Sequence, residues 1–314
     1  MKPIRHIAVL GLGTMGHGIA QAFAAAGFRV TGYDEQKPAR DGLHKVIGRN
    51  MKDFVAAGLA RKSSVAPLLS RIRVCESEAE AVRGAQFVTE AVREDLKVKQ
   101  KLFARLEGLV ADDTILASNS STFPITQSAG KMRRPERAIV THWFNPPHIV
   151  PVVEVVPGER TSREVTEGTM ALMKKTGKVA VRIDKEIPGF IVNRVQIAVF
   201  REVWSLLDQG VASPEAIDAA IMGSMGFRLA AVGQLEINDF GGLDLHTRVF
   251  KNLVGEIASG TRIPAKIRKL VDAGHYGAKT GKGIYDYTPA SLAARRSRRD
   301  QRILSLLKLF YSKK

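Results

Sequence analysis

The stretch Ile7-Ala-Val-Leu-Gly-Leu-Gly-Thr-Met-Gly16 decides the fold of this 314-residue chain. Its first four apolar residues predict a short buried strand, and its three glycines have the spacing of loops that bind the diphosphate of a dinucleotide. Gly11 would make the tight turn, Gly13 would let the backbone approach the diphosphate, and Gly16 would let a helix pack closely on the strand. The stretch therefore predicts a strand, a phosphate-binding turn and the start of a helix.

The residues after this loop complete the pattern of a dinucleotide site. A helix is predicted from Thr14 to Ala26, so the free amides at its first residues, Thr14 and Met15, would face the diphosphate. A second strand, Arg29 to Tyr33, leads to Asp34, whose carboxylate is placed to accept hydrogen bonds from the adenosine ribose hydroxyls. Because a carboxylate at this position would repel a 2′-phosphate, the predicted cofactor is NAD rather than NADP.

Beyond this site, the chain divides by its pattern into two domains and a tail. Up to about residue 186, β-rich runs alternate with helical stretches, which is typical of parallel strands joined by crossover helices. After it the pattern is helical only, with a clear helix start at Ser213-Pro214. The predicted fold class is an α/β Rossmann-type N-terminal domain (1–186) plus an all-α C-terminal domain (187–290), followed by a basic helical tail (291–314). The predicted strands are Ile7–Leu10, Arg29–Tyr33, Phe87–Thr89, Ile115–Ala117, Ala138–His142, Val152–Val156 and Lys178–Ile183.

The composition is that of a globular protein, since 45% of the residues are hydrophobic and 25% are charged. No apolar stretch approaches the roughly 20 residues that a membrane-spanning helix requires, so no membrane segment is expected. The first residues lack the pattern of a signal peptide. Cys75 is the single cysteine, which rules out an intrachain disulfide and fits a reducing compartment. These observations lead us to expect a cytoplasmic protein.

The formal net charge of +17 favours anionic partners. Nucleotide cofactors and coenzyme A thioesters fit this charge, whereas nucleic acid is not expected because no nucleic-acid-binding motif accompanies it. Part of the excess lies in the tail, which we interpret as a helix that packs on its own chain or on a partner subunit. A helix lying on a membrane surface is the alternative. The basic residues of the tail are Arg295, Arg296, Arg298, Arg299, Arg302, Lys308, Lys313 and Lys314.

One histidine stands out as a candidate for the chemistry. A dehydrogenase that oxidises an alcohol needs a base for the hydroxyl proton, and His142 ends a predicted strand. Glu154 follows twelve residues later, and a carboxylate bonded to the second ring nitrogen would fix the tautomer of such a base. The spacing alone does not distinguish this pair from a buried core histidine. No metal site is predicted.

The chain resembles the L-3-hydroxyacyl-coenzyme A dehydrogenases and their relatives from about residue 4 to residue 288. Five motifs in family order carry the resemblance. They are Gly11-Leu-Gly-Thr-Met-Gly16, Ala117-Ser-Asn-Ser-Ser-Thr122, His142-Trp-Phe-Asn-Pro146 through Glu154, Pro188-Gly-Phe-Ile-Val-Asn-Arg194 and Gly277-Ala-Lys-Thr-Gly-Lys-Gly-Ile-Tyr285.

The resemblance implies a role for each matching residue. His142 would be the general base and Glu154 its orienting carboxylate. Ser121 and Asn193 would bind the reacting oxygen of the substrate. Each residue also has a plainer interpretation, Ser121 as a turn or cap, Asn193 as a helix-surface amide and Lys99 as a solvated helix residue, and without the family this interpretation is the better one for Ser121 and Lys99. The family also uses its helical domain to pair subunits, which implies a homodimer. The positions implied to contact the dinucleotide are Glu94, Lys99, Asn145 and Lys279.

The substrate class stays open at this point. The leading interpretation is oxidation of an L-3-hydroxyacyl-coenzyme A to the 3-oxo form, as in fatty acid metabolism. However, the segment His148–Glu154 is similar to non-thioester relatives, the lambda-crystallin-like gulonate dehydrogenases and the pyridine-carboxylate dehydrogenases. Of two family contacts to coenzyme A, a serine position holds Gly42 and a lysine position holds Arg49, which makes Arg49 the candidate substrate residue. The alternatives are a hydroxy acid or an aromatic hydroxy or aldehyde carboxylate, and a non-catalytic NADH-binding protein.

Overall fold

A single eight-stranded sheet forms the centre of the N-terminal part in the computed structural model, which describes residues 3–311. The strand order is β3-β2-β1-β4-β5-β6-β7-β8. The strands are β1 (His6–Leu10), β2 (Arg29–Tyr33), β3 (Ile72–Val74), β4 (Phe87–Glu90), β5 (Ile115–Ser118), β6 (Ala138–Trp143), β7 (Val152–Pro157) and β8 (Val179–Arg182). The helices that accompany them are α1 (Gly16–Ala25), α2 (Lys37–Ala56), α3 (Val65–Ser70), α4 (Glu78–Val82), α5 (Leu96–Glu107), α6 (Ile125–Ser128) and α7 (Arg163–Lys175).

This architecture confirms the predicted α/β fold, with two differences. The short strand β3 was not predicted, because three residues with one buried side chain, Ile72, show no periodicity. The prediction of parallel strands is wrong for β6 and β7, which pair antiparallel. Only residues 144–151 separate these strands, and a parallel connection would need a crossover of a dozen residues or more.

The sheet is buried on both faces, as expected for mostly parallel strands covered by helices. On one face, Phe23 of α1 packs against Phe87 and Trp143 with ring centroids 6.1 and 5.5 Å apart. On the other face, Phe103 of α5 and Val140 of β6 belong to a second apolar cluster. Burial of each large apolar side chain stabilises the fold by about 1.5–3 kcal/mol, so the sheet is a rigid base for residues at its ends.

Contacts divide the chain into one unit that ends at Asn193 and resumes at Ile303, and a second unit from Arg194 to Arg302. The division thus lies after the predicted boundary at residue 186, because Phe190 is buried in the apolar cluster of the first unit. The second unit has its own small apolar cluster around Leu207, Ile217 and Ile267. The remaining helices are α8 (Val192–Gln209), α9 (Pro214–Ile221), α10 (Phe227–Leu229), α11 (Gln234–Gly241), α12 (Leu243–Leu253), α13 (Ala265–Asp272) and α14 (Pro289–Tyr311).

The predicted C-terminal tail begins inside a helix. Residues 291–311 belong to the 23-residue helix α14, and residues 303–311 join the first unit, where Leu304 and Leu307 are buried. Lys313 and Lys314 lie outside the described residues. Among residues 3–311, no single helix is long and apolar enough to cross a membrane, while the pair Pro214–Leu229 and Gln234–Gly241, bent by 89°, meets that test together.

Candidate active site

The glycine loop after β1 is shaped by steric requirements at two of its three glycines. Gly11 has a φ of +86°, and a Cβ added there would lie 2.6 Å from the carbonyl oxygen of Ala91. A Cβ on Gly16 would lie 1.7 Å from the carbonyl oxygen of Gly11, so helix and turn approach too closely for any side chain. A Cβ on Gly13 would have no neighbour within 4 Å, so this position is open, as the approach of a diphosphate requires.

The loop also offers free hydrogen-bond donors. Within residues 3–311, the backbone N–H groups of Gly13, Thr14 and Met15 donate no hydrogen bond. They lie where α1 begins, and the first amides of a helix bind anions. A cavity of about 590 Å³ adjoins them and is lined by Gly11, Gly13 and Asp34, among others. These features fit a dinucleotide whose diphosphate lies at the start of α1.

Asp34 lies at the carboxyl end of β2, at the wall of this cavity. Its Oδ2 accepts a hydrogen bond from the Leu12 amide at 2.7 Å, and its Oδ1 accepts one from the Gln36 amide at 2.8 Å. Each carboxylate oxygen has a second lone pair for a ribose hydroxyl. The carboxylate is thus fixed in place beside the glycine loop, which agrees with the predicted preference for NAD.

We predict that Asp34→Ala weakens NAD binding about 10- to 100-fold, because hydrogen bonds to a charged group contribute about 1.5–3 kcal/mol. The same change should raise the affinity for NADP, since it removes the negative charge that would face the 2′-phosphate. Fluorescence titration with NADH and NADPH measures both effects. Asp41→Ala, which removes an exposed carboxylate paired with Lys37 on α2, is the control. An unchanged NADPH affinity in the Asp34 variant would contradict the assignment.

His142 and Glu154 lie directly opposite each other in the antiparallel pair β6–β7. The imidazole Nδ1 is 2.7 Å from Glu154 Oε2, and both side chains are almost fully buried. The other carboxylate oxygen, Oε1, accepts hydrogen bonds from the amides of Ile191 and Val192 at 3.1 and 3.0 Å. Both oxygens of Glu154 are therefore held, which fixes the carboxylate that orients the histidine.

This arrangement gives His142 the properties of a general base. Because Nδ1 donates to Glu154, Nε2 is the nitrogen that can take a proton from a substrate, and the resulting imidazolium is stabilised by the carboxylate. The rings of Phe144 and Phe190 lie against the imidazole, with centroids 4.3 and 5.5 Å away. The imidazole is thus held between two aromatic rings and a fixed carboxylate.

The structure brings Ser121 and Asn193 together. The side-chain amide of Asn193 donates to the Ser121 carbonyl oxygen at 2.8 Å, and Ser121 is exposed. Ser121 follows β5, the parallel neighbour of β6, and Asn119 Oδ1 accepts a hydrogen bond from the Trp143 amide at 3.0 Å. Since the carboxyl ends of parallel strands share one edge of a sheet, Ser121, His142 and the glycine loop lie at the edge where such folds bind ligands.

Glu94 connects the loop after β4 to the loop that carries Ser121. Its Oε1 accepts hydrogen bonds from the Ser120 hydroxyl at 2.7 Å and the Ser121 amide at 2.9 Å. Burial alone would raise the pKa of the Glu94 carboxyl, but the charge of Lys99 and the bonds from Ser120 and Ser121 outweigh it and lower that pKa. The ionised Glu94 carboxylate therefore holds the backbone of Ser121 in position through these hydrogen bonds.

Lys99 differs from its prediction as a residue that contacts the dinucleotide. Its side chain is fully buried, and its ammonium lies 2.7 Å from Glu90 Oε1 and 3.2 Å from Glu94 Oε2. Glu90 also accepts hydrogen bonds from the Val92 amide and the Ser118 hydroxyl. The structure thus places Lys99 beneath Glu94, because a buried ammonium is stabilised by carboxylates rather than left to face a cleft.

Three other residues singled out in the sequence stay predictions. Asn145 is exposed just after β6, where it precedes a cis bond to Pro146. Arg49 is exposed on α2 of the first unit. Lys279 is exposed in the second unit, inside the turn closed by the Gly277–Lys282 bridge. Within the described residues, no group of three or more His, Cys, Asp or Glu side chains could hold a metal ion.

Sequence reasoning missed three buried polar residues around the site, Glu90, Asn119 and Lys178. Lys178 Nζ donates to the carbonyl oxygens of Pro147 and Val150 at 2.8 and 2.7 Å. Each had a weak signal, since Glu90 directly follows the predicted strand Phe87–Thr89, Asn119 lies within the Ser-Asn-Ser motif, and Lys178 is the first residue of the predicted strand Lys178–Ile183. Their partners are distant in sequence, so only the fold reveals what they bind.

Family profiles match most of the chain. The profile described as 3-hydroxyacyl-CoA dehydrogenase, NAD binding domain, matches residues 6–187. The profile of the C-terminal domain of the same dehydrogenases matches residues 189–287. The two matches follow each other without overlap and end before α14.

Individual relatives are similar over nearly the whole chain. The 5-formyl-3-hydroxy-2-methylpyridine 4-carboxylate 5-dehydrogenase of Mesorhizobium japonicum is 32% identical over 98% of both chains. A probable 3-hydroxybutyryl-CoA dehydrogenase of Bacillus subtilis is 36% identical over 90% of this chain and 98% of its own.

Solved structures show the same two kinds of relative. The structure of a 5-formyl-3-hydroxy-2-methylpyridine 4-carboxylic acid 5-dehydrogenase, described as NAD⁺ dependent, superposes with a TM-score of 0.92 at 32% identity over 98% of both chains. An (S)-3-hydroxybutyryl-CoA dehydrogenase from Ralstonia eutropha superposes with a TM-score of 0.74 at 32% identity, covering 91% of this chain and 100% of its own.

Proposed function

The chain belongs to the 3-hydroxyacyl-CoA dehydrogenase family of NAD-dependent enzymes that act on CH–OH groups, and on that premise we propose that it oxidises a secondary alcohol with His142 as general base. The observation that carries the proposal is the buried pair of His142 Nδ1 and Glu154 Oε2, 2.7 Å apart. A binding protein without catalysis would need no such pair, so this geometry favours an enzyme over a structural NADH-binding protein.

The residues divide the reaction between them. Nε2 of His142 takes the hydroxyl proton, and Glu154 stabilises the imidazolium that forms. Ser121 and Asn193 hold the reacting oxygen, and the bond from Asn193 to the Ser121 carbonyl keeps the two residues together. NAD, when bound, supplies the acceptor for the hydride that leaves the carbon bearing the hydroxyl group. The product is a carbonyl compound, and in the reverse direction His142 returns the proton.

Two substrate classes follow from the comparisons, and specific observations favour each. A 3-hydroxyacyl-CoA thioester is favoured by the family match, by the net charge of +17 and by the exposed Arg49 on α2. A hydroxy or aldehyde carboxylate without coenzyme A is favoured by the TM-score of 0.92 over 98% of the chain, against 0.74 over 91% for a thioester dehydrogenase. The part of this chain that the thioester dehydrogenase does not cover is about as long as α14.

We favour the carboxylate substrate, because the Gly42 position also lacks a side chain for coenzyme A. The test follows the formation of NADH from NAD, in the same direction for every substrate, with 3-hydroxybutyryl-CoA, with short 3-hydroxy acids and with aromatic hydroxy carboxylates. Turnover of a free acid at least about 100-fold faster (kcat/KM) than of the thioester supports the carboxylate, since that ratio reflects about 2.7 kcal/mol of transition-state discrimination. The reverse ratio assigns the thioester, and the absence of turnover with tight NADH binding would refute an enzyme of either class.

We also propose that the protein is a homodimer. Helix α12 has no buried residue, and Leu245, Val249 and Leu253 form an exposed stripe spaced by four residues on it. Phe250 and Phe240 are 64% and 76% exposed in the same unit. Such aromatic and aliphatic surfaces are typical of subunit interfaces. Sedimentation equilibrium should give twice the chain mass, and Val249→Lys should shift the species toward monomer. The cytoplasmic location and a role in fatty acid metabolism stay predictions.

A further inference from the structure

A loop without helix or strand joins the strand of the base to the strand of its carboxylate. This proline loop, residues 144–151, contains Asn145, and its tightest turn is closed by the amides of Ile149 and Val150, which both donate to the Pro146 carbonyl at 3.0 and 2.9 Å. His142 and Glu154 pair only two or three residues from its ends. The position of this loop therefore affects the alignment of the catalytic pair and of Asn145.

The side chain of Lys178 holds the proline loop through hydrogen bonds to two of its backbone carbonyls. The ammonium is 8% exposed and donates to the carbonyls of Pro147 and Val150 at 2.8 and 2.7 Å. It also lies 5.4 Å from the ring centre of Trp143, the last residue of β6. Burial lowers the pKa of Lys178 to about 8. A buried cation with no carboxylate partner among the described residues is held by carbonyl dipoles and an aromatic face.

The same loop touches the helix that begins at the nucleotide loop. A Cβ added to Gly18 of α1 would lie 2.7 Å from Pro147 Cγ and 2.8 Å from His148 Nδ1. The loop therefore packs without a gap against the first turn of α1. The start of α1 is thus one of the walls against which the loop is held.

The last described residues of α14 pack against the proline loop. We call residues 303–311 the C-terminal anchor. Leu304 and Leu307 are 3% and 6% exposed and form one apolar cluster with Ile149 of the loop, against which Phe54 of α2 also packs. The Tyr311 hydroxyl donates to the Gly177 carbonyl at 2.6 Å, one residue before Lys178.

We propose that the C-terminal anchor positions the active site by clamping the proline loop against Lys178. The inference rests on the proposed function, because the loop that it holds carries Asn145 and connects His142 with Glu154. The anchor residues act through Ile149 and Gly177 and touch no reacting atom, so they are positioning residues. Through this clamp, the C-terminal anchor helps to align His142. The basic composition of the tail does not suggest such a role.

The test compares leucines of one helix that differ in burial. In the double variant Leu304→Ala/Leu307→Ala, kcat should fall about 10-fold, because a small misplacement of catalytic groups has large effects on rate. The NADH dissociation constant should stay within about twofold, since the glycine loop is intact. Hydrogen exchange should become faster at the amides of Ile149 and Val150. Leu306→Ala, at a side chain 53% exposed, is the control and should change none of these.

Each outcome decides the proposal. Unchanged exchange in residues 144–151 overturns it, and so does an equal loss of kcat and NADH affinity, which would indicate general destabilisation. If the double variant does not fold, Leu304→Ala and Leu304→Met replace it, and Leu304→Met should restore slow exchange. Because hydrogen exchange requires no turnover, the clamp is tested even if no substrate of the panel reacts, in which case only the proposed function fails.

Discussion

Replacing His142 by glutamine is expected to lower kcat by a factor on the order of 10² to 10⁴, the usual contribution of a positioned general base. Glutamine fills a similar volume and can still donate to Glu154 from its side-chain amide, so the pairing of β6 and β7 is preserved. It cannot take up a proton, and the substrate hydroxyl then loses its proton only to water. Steady-state rates with the best substrate of the panel, followed by NADH absorbance, measure the effect.

The same variant should bind NADH with an affinity close to that of the native protein. The glycine loop follows β1 and Asp34 follows β2, so neither depends on His142 of β6. His44→Gln is the matched control, since His44 is exposed on α2 and its imidazole Nε2 lies 3.1 Å from the Ile72 carbonyl oxygen, away from the site. Its rate should be unchanged. A His142 variant with native kcat would remove His142 from the mechanism and leave the family chemistry without its base in this chain.

The nucleotide loop was predictable from the sequence because its requirements are local. Gly11 has a φ of +86°, and Gly16 lies too close to the Gly11 carbonyl for a side chain. The strand before them and the helix after them follow from short-range patterns. Asp34 was predictable for the same reason, since one helix and one strand fix its distance from the loop. Here sequence and structure agree because few long-range contacts intervene.

The pairing of His142 with Glu154 was predictable only through the family resemblance. Their separation of twelve residues has no meaning in a helix or in a single strand. The two residues come into contact because β6 and β7 run antiparallel. In their register each step forward along β6 is matched by one step back along β7, and this places His142 opposite Glu154. Without the orientation of β7, which the sequence pattern did not reveal, the pair could not be derived from spacing.

Lys99 shows a signal that was present in the sequence but that our prediction did not use. Lys99, Leu102, Phe103 and Leu106 follow one face of α5, at the spacing of a buried helical stripe. The stripe predicts that the lysine side chain points into the protein. What the stripe could not give is the pair of carboxylates that receives the ammonium, because Glu90 and Glu94 come from a strand and a loop that only the fold brings beneath α5.

Replacing Lys99 by methionine is therefore expected to destabilise the fold by about 3–5 kcal/mol, the usual result of removing one partner of a buried ion pair. Methionine keeps the length and the apolar stem, so the loss comes from leaving the Glu90 carboxylate buried without its cation. Urea unfolding followed by circular dichroism measures the free energy of unfolding. Lys97→Met, at an exposed position of the same helix, should change it by less than about 0.5 kcal/mol.

A second substitution separates the missing charge from a packing defect. Adding Glu90→Gln to Lys99→Met removes the unpaired carboxylate, and it should restore most of the lost stability, since replacing both members of a buried pair is often nearly neutral. A double variant no more stable than Lys99→Met would show that volume, not charge, governs this site. Recovery of stability without recovery of kcat would show that the ionised Glu90–Lys99–Glu94 array also holds Ser121, because the tie from Glu94 to the Ser121 amide depends on the cation beneath it.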